Sequence, residues 1–196
     1  AIERVRIDRD TLEPKFKVIG CDIWSTDPQF SDASVATGIT GICGSGIIEV
    51  IAEMFLAGLI PRHGVIDGAA SKRSARVVED GRTFSYVLTS GSDSEVRITQ
   101  NDVRAIQLAK AALYAGVRLL MDRLRVERVD RIRLAGAFGS HIDVKYAMVL
   151  GLIPDCELAH VTSAGNAAGT GARIALLDRR SRTEIELLVR RVEKVE

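Results

Sequence analysis

Three glycine-rich segments are the parts of this sequence best suited to holding a ligand: Gly41-Ile-Cys-Gly-Ser-Gly46, Gly136-Ala-Phe-Gly-Ser140 and Ser163-Ala-Gly-Asn-Ala-Ala-Gly-Thr-Gly171. Glycine lets a backbone approach a ligand closely and take positive φ, and free amides at a helix start attract phosphate or another anion. Taken singly, each segment reads more readily as a helix cap or a close packing point. Neither G-x-G-x-x-G after a strand nor G-x-x-x-x-G-K-[ST] occurs in its required setting, which argues against a Rossmann or phosphate-loop enzyme.

The other reactive side chains are dispersed. Cys21, Cys43 and Cys156 are odd in number and form no C-x-x-C pair, so the sequence carries neither a disulfide framework nor a zinc or iron-sulfur ligand set. Such thiols fit a reducing, cytoplasmic setting. A helix start lowers a thiol pKa, yet Cys43 reads first as a small apolar filler. His63, His141 and His160 show no metal-ligand spacing, and His141 alone follows a glycine segment.

Lys and Arg total 27 against 26 Asp and Glu, a formal net charge of +1, so nucleic acid and anionic membranes are not expected partners. Arg123, Arg125, Arg128, Arg131 and Arg133 form a basic stretch, but Asp122, Glu127 and Asp130 interleave with it, as on a solvated surface. The longest nearly apolar run, residues 47–60, is broken by Glu49, Glu53 and Gly58 and falls short of the ~20 residues of a membrane span. With 46% apolar and 27% charged residues the chain is a folded domain. It begins without Met, and a fragment of a longer protein is expected.

The elements that must position these segments follow from periodicity. Ile2, Val5 and Ile7 alternate with charges and, with residues 16–19, read as short strands, whereas residues 24–37 read as loop. From Gly46 the apolar residues cover most of a helix circumference until Gly58 and Pro61 end it. Strand-like runs at 75–78, 84–89 and 96–98, with turn signals at 80–81 and 91–93, predict a small antiparallel sheet. Thr99 and Asp102 open the longest helix, expected over 99–124, with Val103, Ile106, Leu113, Val117 and Leu120 on its buried face. Ala109, Ala112 and Gly116 leave a small-residue face that suits packing within the lobe or across a homodimer. A strand over 131–136 then runs into the second glycine segment, and Asp143 caps a helix over 144–150. Small-residue and mixed-charge helices are expected over 164–177 and 183–196.

The order of these segments resembles the second lobe of the ASKHA superfamily, the fold of acetate and sugar kinases, actin and heat-shock ATPases. Gly41-Ile-Cys-Gly-Ser-Gly-Ile-Ile-Glu, Leu134-Ala-Gly-Ala-Phe-Gly-Ser-His-Ile-Asp and Gly165-Asn-Ala-Ala-Gly-Thr-Gly-Ala are most similar to the C-terminal domain of the reductive activators of corrinoid proteins. The resemblance covers roughly residues 1–178 and implies an α/β, ribonuclease-H-like lobe with mixed sheet and flanking helices. It divides the lobe into a β-rich entry at 1–40, a nucleotide-site core at 41–178 and a C-terminal helix at 179–196. In the family an N-terminal ferredoxin-like domain carries a [2Fe-2S] cluster, and ATP with Mg is bound between two lobes to drive reduction of cob(II)alamin in a corrinoid partner.

Carried over by resemblance, Gly136, Ala137, Phe138 and Gly139 form the turn beneath the nucleoside and α-phosphate, with Ser140 in hydrogen-bonding reach. Gly44, Ser45 and Gly46 start the helix whose Glu49 and Glu53 face adenosine or ribose, and Asn166 and Gly169 stand where the closing helix joins the lobes. The first phosphate-binding lobe and the cluster cysteines are not among these residues. The resemblance therefore implies the adenosine half of a split site, which alone binds weakly and hydrolyses nothing. A docking or dimerisation module without a nucleotide site, and the lobe of a small-molecule kinase, are the alternatives.

Overall fold

Apolar and charged residues alternate at the start of the chain to give β1 (Ile2–Ile7), which pairs antiparallel with β2 (Pro14–Val18). The computed structural model describes residues 1–90, 95–136 and 138–195 and, at Phe138, the backbone alone; the turn expected at 91–93 and Ala137 lie outside these residues. Asp8 shapes the connecting turn, its Oδ1 accepting from the amides of Asp10 and Thr11 and from the Thr11 hydroxyl. Those three bonds hold its carboxyl below the usual carboxylate range. The segment expected as loop contains a short helix, α1 (Phe30–Ser34), because Phe30 is drawn into the core and meets Phe16 edge-on at 5.7 Å.

The free edge of β1 is closed in an unusual way. Ile2 makes a parallel bridge to Ile42, after which α2 (Gly44–Leu56) runs along the strand. Glu49 accepts the Val5 amide at 3.0 Å and Glu53 the Ile7 amide at 2.9 Å. Four helical residues rise about 6 Å, close to the roughly 6.6 Å covered by two strand residues. Two carboxylates one turn apart therefore stand in for the carbonyls of a neighbouring strand, and the buried N–H groups stay paired. Helix α2 ends at Gly58, whose φ of +75° suits glycine.

The expected antiparallel sheet is present as β3 (Val77–Asp80), β4 (Thr83–Thr89) and β5 (Val96–Ile98). Its Tyr86 and Ile98 join Ile2, Val5, Val50 and Met54 in the main core. Helix α3 (Gln100–Leu124) follows, with Thr99 and Asp102 forming a reciprocal capping box. Val103 is buried as expected and Ile106 packs against the core. Leu113 and Leu120, expected to be buried, are each 52% exposed. At about 1.5 Å per residue this helix outruns the small sheet it packs on, and its later turns reach past the core.

The remaining elements are β6 (Ile132–Ala135), α4 (Val144–Leu150), β7 (Val161–Gly165), α5 (Ala167–Leu177) and α6 (Arg179–Val189). β6 and β7 pair in parallel. Helix α5 begins three residues later than expected because residues 161–165 are strand. Helix α6 begins four residues earlier than expected because Asp178 caps it, accepting from the amides of Arg180 and Ser181. α4 packs on α2 in a second cluster of Ile48, Ala52, Tyr146, Ala147 and Leu152. The strand pairing is mixed, antiparallel and parallel, and among the described residues it falls into three sheets.

Candidate functional site

β6 and β7 end side by side, and each runs directly into a glycine-rich segment. Gly136 has φ +113° and donates its amide to the carbonyl of Gly165 at 2.8 Å. Gly165 has φ +61°, and its own amide donates to Ser163 Oγ at 3.1 Å. Ser163 Oγ in turn lies 3.0 Å from Ser140 Oγ, so one hydroxyl pair spans the two segments. A Cβ at Gly136 or Gly165 would meet nothing within 4 Å. Glycine is required there by backbone conformation, and the backbone faces open space. Crevices beyond the carboxyl ends of parallel strands are where open α/β sheets place ligands.

The two segments differ in what their remaining glycines do. A Cβ on Gly139 would stand 3.0 Å from Leu134 Cβ and 3.2 Å from its carbonyl oxygen, so Gly139 lets the turn fold back onto β6. Asn166 caps α5 by accepting the Gly169 amide at 2.9 Å, and a Cβ on Gly169 would strike that same side chain. Asn166 and Gly169 thus have a complete local role as a helix cap.

Gly44, Ser45, Gly46 and Glu49 belong to a different wall. Gly46 sits so close to β1 that a Cβ would come within 2.6 Å of the Ile2 carbonyl oxygen. Ser45 is buried with its hydroxyl 3.1 Å from Cys43 Sγ, whereas Gly44 is exposed. Glu49 is 0% exposed and turned toward β1, taking Arg4 and Arg6 at 2.6 Å each. Its hydrogen bond, more than any other contact, raises the Arg4 pKa above the ordinary guanidinium value. Glu53 is likewise engaged, by the Ile7 amide and the Tyr146 hydroxyl. Glu49 and Glu53, which the resemblance turns toward adenosine or ribose, are both bonded to the edge of β1. No local pattern announces this, since their amide partners lie 44 and 46 residues away.

The other candidate groups bring no chemistry together. Among the described residues no cluster of His, Cys, Asp and Glu is spaced to hold a metal ion, and none of the helices is long and apolar enough to cross a membrane. A cleft of about 550 Å³ lies between α3 and residues 151–157, lined by Met121, Arg128 and Cys156 among others, away from the glycine turns. Beside the turns, the positions a Cβ would take at Gly136 and Gly165 face open space.

The whole chain, residues 1–196, matches the model of one family, described as the C-terminal domain of RACo, the ASKHA domain. This chain belongs to that family. It is also 42% identical to the corrinoid activation enzyme RamQ of Eubacterium limosum over 73% of its own length. A solved structure titled as a reductive activator for corrinoid, iron-sulfur protein superposes with a TM-score of 0.77 at 33% identity, covering 97% of this chain. The match spans 26% of the first relative and 28% of the second, so the chain corresponds to about a quarter of each. The ASKHA membership and the α/β architecture expected from the glycine segments both hold.

Proposed function

We propose that this chain is the nucleotide-binding C-terminal lobe of an ATP-dependent, iron-sulfur-containing reductive activator of a corrinoid protein. The observation that carries the reading is the meeting of two glycine turns at the carboxyl ends of β6 and β7, with open space where a side chain would stand at Gly136 and Gly165. The names of its relatives support the corrinoid partner. ATP with Mg, when bound, supplies the free energy that favours one lobe arrangement over another. Gly136, Ala137, Phe138 and Gly139 form the turn beneath the nucleoside and α-phosphate, Gly136 with open space where a side chain would stand, and Ser140 offers a hydroxyl to the nucleotide. Gly44, Ser45, Gly46 and Glu49 act from behind, holding the α2 wall on which α4 is set.

The [2Fe-2S] cluster does not fit the thiols of this chain. Cys21 is buried beside β2, Cys43 lies at the start of α2 and Cys156 donates to the Asp130 carbonyl. The cluster is assigned to another part of the longer protein, which works in the cytoplasm. The docking and dimerisation reading draws on the exposed apolar residues of α3, α5 and α6, and applies if no nucleotide binds.

Titration calorimetry of the full-length protein with a nonhydrolysable ATP analogue tests the reading. Ser140 is exposed and its Oγ contacts only Ser163 among the described side chains, so Ser140→Leu adds bulk to the turn without disturbing the core. The variant is expected to bind about tenfold more weakly or worse, a loss of ~1.4 kcal/mol, with an unchanged melting temperature. Absence of binding by the parent replaces this reading with the docking module.

A further inference from the structure

Helix α4 carries an aromatic hydroxyl that the nucleotide reading does not use. Tyr146 is 3% exposed and donates to Glu53 Oε1, while Glu53 Oε2 accepts the Ile7 amide. The Arg6 guanidinium stacks 4.8 Å above the Tyr146 ring and is bonded to Glu49, which also holds Arg4. Two carboxylates and two guanidiniums already balance, so the phenol contributes no charge compensation. What it adds is geometry: a single directed bond that ties α4 to the carboxylate capping β1.

That bond lies on the helix that follows the glycine turn in the chain, six residues after Ser140. Asp143 caps α4 and lies near enough to Arg4 to contribute to the rise of its pKa, so the cap of α4 belongs to the same charge set. Only His141 and Ile142 separate Asp143 from Ser140, and Ile142 packs in the α2–α4 cluster. A shift of α4 along α2 must therefore move the end of the turn.

We propose that Tyr146 is a positioning residue for the turn formed by Gly136, Phe138, Gly139 and Ser140, fixing it relative to β1 through Glu53. The inference rests on the nucleotide reading for its functional consequence but not for its structural one. Burial, first, and the Glu53 bond raise the phenol pKa, so the hydroxyl remains a donor throughout the neutral range.

The test compares Tyr146→Phe with Tyr86→Phe in the full-length protein. Tyr86 is fully buried and donates to the Leu12 carbonyl at 2.7 Å, so both variants lose one buried hydroxyl bond, and only Tyr146 lies on the helix that follows the turn. Amide hydrogen exchange is read at residues 136–140, where the Gly136 amide is bonded to Gly165. Tyr146→Phe is expected to speed exchange there and to weaken the ATP analogue on the order of tenfold. Tyr86→Phe is expected to lower the melting temperature while leaving both unchanged. Exchange at 136–140 that responds equally to both variants, or to neither, overturns the positioning role. Faster exchange in Tyr146→Phe beside a parent that binds no nucleotide upholds the positioning role and overturns the nucleotide reading alone.

Discussion

Glu49→Leu strands the buried Val5 amide and removes the acceptor shared by two guanidiniums that are themselves a third exposed and able to turn to water. The amide is the larger loss, on the order of 1 to 3 kcal/mol, whereas Glu49→Gln keeps an acceptor for it and is expected to cost less. Denaturant unfolding of the pair measures the difference, and equal costs would show that charge, not the strand-edge bond, dominates. Gly139→Val is an unsuitable probe of the turn: its side chain would press on Leu134, so folding and binding would change together. The residue scale is also where reading from sequence falls furthest short. Only the family resemblance offered a role for Glu49 and Glu53, because nothing near them in the chain reveals the strand they cap. Leu113 shows a different error. At 52% exposure its replacement by Ala is expected to cost under about 1 kcal/mol, whereas fully buried Met54→Ala is expected to cost about 2 to 5. Comparable losses in the two variants would mean that α3 is covered along that face.

Elements were legible in the sequence where their ends carry chemistry. Thr99 with Asp102 and Asp143 before Val144 announce helices, and the capping bonds are present at both. α1 was not legible, since five residues hold too little periodicity and its position depends on Phe30 reaching Phe16. The start of α6 was missed although Asp178 is a standard cap, because the apolar stripe that signals the helix begins later, at Ile185. That cap gives a pH prediction. The Ser181 hydroxyl first, then the amides of Arg180 and Ser181, hold the Asp178 pKa below its unfolded value of 3.8. A depressed carboxylate contributes stability above the unfolded pKa and loses it as pH falls through the folded one. Helicity contributed by α6 is expected to hold at neutral pH and to decline below about pH 4. Circular dichroism of the parent and Asp178→Ala across this range checks it: the variant should start lower and respond less to acid, and identical profiles would remove the cap from the account.

At the scale of the molecule, two of the three glycine segments meet at the ends of β6 and β7, and the third lies against β1. That meeting was not legible in the sequence, because it depends on β7, whose last residues read there as the start of a helix. Nor was the wall role of Gly44, Ser45 and Gly46, because it depends on how closely α2 lies against Ile2. The same distribution of packing divides the chain in two. Residues up to Val103 surround the main core, but Leu113, Tyr114, Leu120 and Leu124 of α3, Leu176 and Leu177 of α5, and Leu188 and Val189 of α6 are each more than half exposed. Soluble monomers rarely leave contiguous apolar surface beyond a few hundred Å² uncovered, since each Å² withheld from burial forgoes about 25 cal/mol. The 196 residues produced by themselves are therefore expected to self-associate through these helices. Sedimentation velocity should show a sedimentation coefficient that rises with protein concentration. Leu188→Lys with Val192→Lys should return the chain toward monomer without lowering its melting temperature, because neither side chain belongs to either core cluster. A parent that stays monomeric at the highest concentration reached, with no gain from the lysines, would mean that the helices fold onto one another and cover this surface within a single chain.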